Sequence, residues 1–137
     1  MNVLYPVFAL TSLTLFCIGR LGYLRFVAVK QGQINPKFFT LFRGYEEPEK
    51  LAAYARHVAN LFETPVLFYV MAITAFVTGQ SGNIIVGLSW AYVGLRMAHT
   101  YVHLTSNVVL VRFRLFALSM LVLTVFWGVV LTGIMRQ

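Results

Sequence analysis

Seven polar or charged side chains lie inside two strongly apolar stretches of the sequence, where a lipid bilayer would penalise them. They form two groups with helical spacing: Arg56, Asn60 and Glu63 in one stretch, and Arg96, His99, His103 and Asn107 in the next. At about 100° per residue, each group occupies one face of a helix. Ionisable groups in membrane segments usually face a protein-lined or wet cavity. Guanidinium, amide, carboxylate and imidazole groups around such a cavity suit a polar, anionic ligand.

The two histidines of the second group allow a different chemistry, the chelation of a metal ion. His99 and His103 are one helical turn apart, and His57 or Glu63 could complete the shell. No third ligand lies at a matching spacing, so the sequence predicts no metal site.

Proton conduction along Glu and His side chains is another chemistry that membrane proteins use. However, the far halves of the two stretches, 69–76 and 84–88, contain no acidic, basic or histidine residue that would continue such a path. The pattern therefore favours a site that opens to one side of the membrane.

The same residues also allow a purely structural interpretation. At about 1.5 Å per residue, Glu63 lies about 18 Å and Arg96 about 16 Å from one membrane surface. A buried ion pair between them would fix the register of the two helices. Asn60 and the histidines would then form hydrogen bonds between helices.

The elements that position these residues are predicted to be membrane helices. The chain has 137 residues, of which 59% are hydrophobic and 11% charged, and this composition leaves no room for a soluble domain. The net charge of +7 comes from loops beside apolar segments, which indicates membrane topology and not nucleic-acid binding. The single Cys17 excludes a disulfide framework. No basic start precedes the first apolar run, so a signal peptide is not expected.

Four spans are expected, at about 3–27, 51–78, 84–107 and 113–135. Lysine and arginine are concentrated in the first loop with its flanks and in the third connection: Arg25, Lys30, Lys37, Arg43, Lys50, Arg112 and Arg114. The second loop, 79–83, has none. Because cytoplasmic loops carry the positive charge, both termini should face away from the cytoplasm.

The motifs of the second and third spans resemble those of one membrane-protein family. Arg56-x-x-x-Asn60-x-x-Glu63-Thr-Pro65, followed by Phe68, resembles the second-helix signature of the MAPEG family, the membrane-associated proteins of eicosanoid and glutathione metabolism. Arg96-x-x-His99-Thr-x-x-His103, followed by Arg112, is similar to that family's third helix and the start of its fourth. The resemblance covers the whole chain.

This resemblance implies an all-α, four-helix integral membrane bundle that assembles as a homotrimer in a bacterial inner membrane. Glutathione would bind as co-substrate at each subunit interface near the cytoplasmic side. By matching position, the residues that would bind it are Arg20, Arg25, Arg56, Asn60, Glu63, Arg96 and His99. Arg112 and His103 would be catalytic. Two positions depart from the family pattern, since His103 and Phe116 replace aromatic hydroxyls.

The leading functional expectation is therefore glutathione-dependent transferase or peroxidase chemistry on a small lipophilic electrophile that arrives from membrane lipid. The alternative is a non-catalytic membrane protein whose buried polar network is structural or binds another anionic small molecule or lipid.

Overall fold

The computed structural model describes residues 2–44 and 46–136, and this part of the chain is helical without any β-strand. Its helices are α1 (Leu4–Lys30), α2 (Phe38–Leu41), α3 (Glu49–Leu61), α4 (Thr64–Val77), α5 (Asn83–Leu104) and α6 (Val109–Met135). The prediction of an all-α protein is confirmed.

Three helical stretches are long and apolar enough to cross a membrane: Leu4–Lys30, Glu49–Val77 and Val109–Met135. They overlap the spans expected at 3–27, 51–78 and 113–135. The 22-residue α5 is not among them. It is long enough for a span, but its arginine and two histidines lower its apolarity, so a span at 84–107 stays a prediction.

The sequence predicts one continuous helix for the second apolar stretch. The structure instead shows a break between α3 and α4. Glu63 has φ −90° and ψ −89°, outside the helical region, and Pro65 follows in the first turn of α4. Proline lacks a backbone N–H and its ring conflicts with the carbonyl four residues earlier, here that of Leu61. Pro65 therefore interrupts the helix, and the Glu63 side chain lies exposed at the break.

The helices α5 and α6 pack most extensively against each other, and α5 also contacts α1 and α3. An apolar core joins α4, α5 and α6, where the rings of Phe68 and Tyr92 stack at 4.8 Å and Phe126 lies 5.9 Å from Phe68. A second cluster packs Phe38 of α2 and Leu51 of α3 on the end of α1. On α5, the polar residues Arg96, His99 and His103 come after the residues of the apolar core, toward the loop that precedes α6.

Candidate functional site

The helix α5 presents its basic residues inward, on the face that packs against α3 and α6. Arg96 is 0% exposed, and His99 and His103 are each 3% exposed. Their spacing of three and four residues places them on one face, as the sequence predicted from helical periodicity.

His57 of α3 completes a buried imidazole cluster with these two histidines. It is 0% exposed, and its ring centroid lies 6.0 Å from that of His99 and 5.0 Å from that of His103. Sequence reasoning named His57 only as an alternative metal ligand beside Glu63. The sequence does indicate the position of His57. On a helical wheel it lies about 40° from Leu61, on the apolar side of α3, whereas Arg56 lies about 100° away from it.

The hydrogen-bonding capacity of this cluster is largely unused within the described chain. Both ring nitrogens of His57, both of His103 and Nδ1 of His99 are buried without a hydrogen-bond partner. A buried polar group without a partner costs about 1–3 kcal/mol. The cluster therefore has unmet capacity for a ligand, an ion or water.

The Arg96 guanidinium donates one hydrogen bond and does not form the expected ion pair. Its Nη2 donates to the carbonyl oxygen of Asn60 at 3.2 Å, while Nε and Nη1 are buried without a partner. Within residues 2–44 and 46–136, no salt bridge joins Arg96 to Glu63. The predicted contact ion pair is therefore not formed, because the helix break places Glu63 on the surface, and the carboxylate acts on the Arg96 guanidinium only at longer range.

The expected polar stripe of the second stretch lies nearer the surface than the histidine cluster. Arg56 and Glu63 are exposed and Asn60 is half-buried. None of the acidic side chains in the described part of the chain forms a salt bridge, so Arg56 and Glu63 have no ion-pair partner within it.

Two grooves border the imidazole cluster and divide the predicted site residues. One, of about 370 Å³, is lined by Arg20, His103 and Asn107 among others. The other, of about 270 Å³, is lined by Asn60, His99 and Arg112 together with two phenylalanines. The two residues predicted to be catalytic, Arg112 and His103, thus line different grooves.

Asn107 does not extend the polar face of α5, as its spacing had suggested. The helix ends at Leu104, and Asn107 has a positive φ of 49° in the turn that follows. Asparagine tolerates this left-handed conformation better than most residues. Its Oδ1 accepts a hydrogen bond of 2.6 Å from Nη1 of Arg112, which orients that guanidinium at the start of α6.

The two candidate arginines of α1 are held differently. The Arg20 guanidinium lies 5.3 Å from the ring of Tyr23 and lines the larger groove. The Arg25 guanidinium lies over Phe39 and Phe42, at 5.3 and 5.7 Å, and lines neither groove. Arg25 therefore supports the packing of the first loop on α1.

Comparison with known proteins agrees with this architecture. The model of the MAPEG family matches residues 3–132, nearly the whole chain. No curated protein and no solved structure matches it.

Proposed function

Since the chain belongs to the MAPEG family of membrane proteins, we propose that it binds glutathione and joins the tripeptide through its sulfur to lipophilic electrophiles, or uses it to reduce lipophilic peroxides. The observation that carries this proposal is the outward polar stripe of Arg56, Asn60 and Glu63, which no side chain of the described chain pairs by a salt bridge. Charges that face lipid are expensive, so this face needs a polar, charged partner.

Glutathione matches that stripe in chemistry. The tripeptide carries two carboxylates and one ammonium group. The planar guanidinium of Arg56 binds a carboxylate through two parallel hydrogen bonds. Glu63 accepts from the ammonium, and the Asn60 side-chain amide offers both a donor and an acceptor. The neighbouring groove lined by Asn60, His99 and Arg112 then receives the cysteinyl part of the ligand.

Arg112 is the residue that activates the thiol. It lines this groove, and its guanidinium is oriented by the hydrogen bond to Asn107. A nearby cation favours the thiolate over the thiol, and the thiolate is the nucleophile. The glutathione thiol gives its proton to solvent, and the thiolate attacks. With an aryl halide, the carbon–sulfur bond forms and halide leaves. With a hydroperoxide, sulfur attacks the outer oxygen and the O–O bond breaks, releasing the alcohol and a sulfenic acid, which a second glutathione converts to the disulfide and water. His103, the second residue assigned to the thiolate, lines the other groove, so it can donate a hydrogen bond to the sulfur only if the ligand extends across both grooves.

A homotrimer encloses these charges better than one chain does. The outward stripe of α3 needs cover, and α5 exposes a row of small residues that permits close helix contact: Gly87, Ala91, Gly94 and Ala98. The subunit interface then contains the bound glutathione, and an apolar substrate enters from the lipid. The inner membrane of a bacterium, with both termini away from the cytoplasm, is the proposed location.

Turnover of glutathione with a lipophilic aryl halide or alkyl hydroperoxide tests the proposal. The wild-type protein should consume both substrates, and Arg112→Ala should lower kcat strongly while glutathione still binds. Arg114→Ala is the matched control, because Arg114 is an exposed arginine one half-turn away that lines neither groove. Equal loss in both variants, or full activity in Arg112→Ala, contradicts the role of Arg112. No turnover with either substrate class contradicts the enzymatic function.

A further inference from the structure

The glutathione proposal uses His99 and His103 separately, but it gives no role to His57 and does not explain why the three rings lie together. His57, His99 and His103 each offer a ring nitrogen, and these three nitrogens all lie within 4.8 Å of one another. They come from two different helices, α3 and α5, so the packing of the fold assembles them and not one helical turn alone.

We propose that His57, His99 and His103 form a three-histidine site for a transition-metal ion of the zinc or copper type. Imidazole is a preferred ligand of these ions, and three protein ligands with one open position characterise zinc sites that bind an external ligand. The sequence had predicted no metal site because it offered no third ligand at a matching spacing. The structure supplies His57 as that ligand.

The distances are close to those that coordination requires. Zinc–nitrogen bonds of about 2.0–2.1 Å in a tetrahedral site separate the ligand nitrogens by about 3.3 Å. The three ring nitrogens, which are no more than 4.8 Å apart, must approach one another by at most about 1.5 Å to reach that spacing. Neither nitrogen of His57 or of His103 is committed to a hydrogen bond, so either tautomer of these rings is free to coordinate.

The surroundings provide an entry path and define the fourth ligand. The grooves that His103 and His99 line lead an ion to the cluster from the surface. Three neutral imidazoles bring no negative charge, and the buried Arg96 lies one helical turn from His99. This positive environment disfavours a bare dication, so the fourth ligand should be an anion such as hydroxide.

Metal binding by histidine can be tested selectively, because the three histidines of the chain are the three proposed ligands. Protein purified in detergent without a histidine tag should bind one Zn²⁺ per chain. Co²⁺ should give the intense visible absorption of a tetrahedral site and be displaced by Zn²⁺. His57→Gln should weaken Zn²⁺ binding by more than about a hundredfold. Cys17→Ala, which removes the one thiol, should bind as the wild type does.

Zinc X-ray absorption on the wild-type protein makes the test independent of how the variants fold. Three imidazole ligands support the site, and two or fewer overturn it. Absence of Zn²⁺ binding at micromolar concentration overturns it too, as does unchanged binding by His57→Gln. These measurements use no glutathione, so their failure leaves the proposed function standing, and failure of glutathione binding leaves the metal site standing.

Discussion

The imidazole of His57 in α3 meets that of His103 in α5 edge-on, with ring centroids 5.0 Å apart and an interplanar angle of 68°. The residue before His57, Arg56, is exposed and lies about 100° away on the same helix turn. This relationship divides the polar residues into an inner layer, formed by the histidines and Arg96, and an outer stripe that includes Asn60 and Glu63. The two parts can therefore bind different partners.

Glu63 and Arg96 should be coupled only weakly, because no salt bridge joins them and the Arg96 guanidinium bonds instead to the Asn60 carbonyl. The Glu63 carboxylate acts on Arg96 only through its longer-range field. In a double-mutant cycle with Glu63→Gln and Arg96→Met, the changes in the free energy of unfolding should add within about 0.5 kcal/mol. Denaturation in mixed micelles measures the free energy of unfolding of each variant. A coupling energy above about 1 kcal/mol would mean that the two residues interact in the assembled protein.

The stacked pair of Phe68 and Tyr92 should dominate the stability of the apolar core. Phe68→Ala leaves a cavity among α4, α5 and α6 and should cost about 3–5 kcal/mol. Phe16, which is 66% exposed on α1, is the matched control, and Phe16→Ala should change the free energy of unfolding by less than about 0.5 kcal/mol. Similar losses in the two variants would place Phe68 outside the core.

Membrane topology is testable at two exposed loop positions, after Cys17→Ser has removed the native thiol. Because the basic residues flank the first loop and not the second, a cysteine replacing Ser81 should react with a membrane-impermeant thiol reagent applied to intact cells. A cysteine replacing Gln33 should react only after the cells are opened. The reverse pattern would invert the proposed orientation and move the site to the other membrane face.

Assembly should depend on the exposed small-residue face of α5. Gly94 and Gly128 are both exposed, and a Cβ added at either would meet no atom within 4 Å, so the two positions are matched for substitution. Native mass spectrometry should show a trimer for the wild type and for Gly128→Leu, and smaller species for Gly94→Leu. A trimer in all three proteins would exclude this face of α5 from the interface, and a monomeric wild type would refute the trimer.

The helical periodicity of the sequence was sufficient to place Arg96, His99 and His103 on one face of a helix, because regular secondary structure carries residues at fixed angles. The family motifs were sufficient to recognise the MAPEG family, which the match to residues 3–132 confirms. Both inferences depend only on the spacing of residues within one helix, and this spacing can be read directly from the sequence.

The structural features that sequence reasoning missed depend on local breaks and on helix rotation. Pro65 indicates a possible helix break from the sequence alone. The resulting orientation of Glu63 depends on how α3 and α4 pack, which the sequence does not give. The Thr105-Ser106-Asn107 run is a turn signal that ends α5 early, and it outweighed the helical spacing of Asn107. The inward position of His57 follows from which face of α3 packs against α5, since contacts between helices decide that rotation.

Calorimetric titration of the detergent-purified protein with glutathione tests the central claim most directly. The wild type should bind glutathione at millimolar concentration or below, and Arg56→Ala should weaken binding at least about tenfold by removing a charge-assisted contact. Lys37→Ala, which removes an exposed cation of the first loop, should bind as the wild type does. If the wild type shows no binding at millimolar glutathione, or if Arg56→Ala and Lys37→Ala bind equally well, the outward stripe of α3 is not a glutathione site.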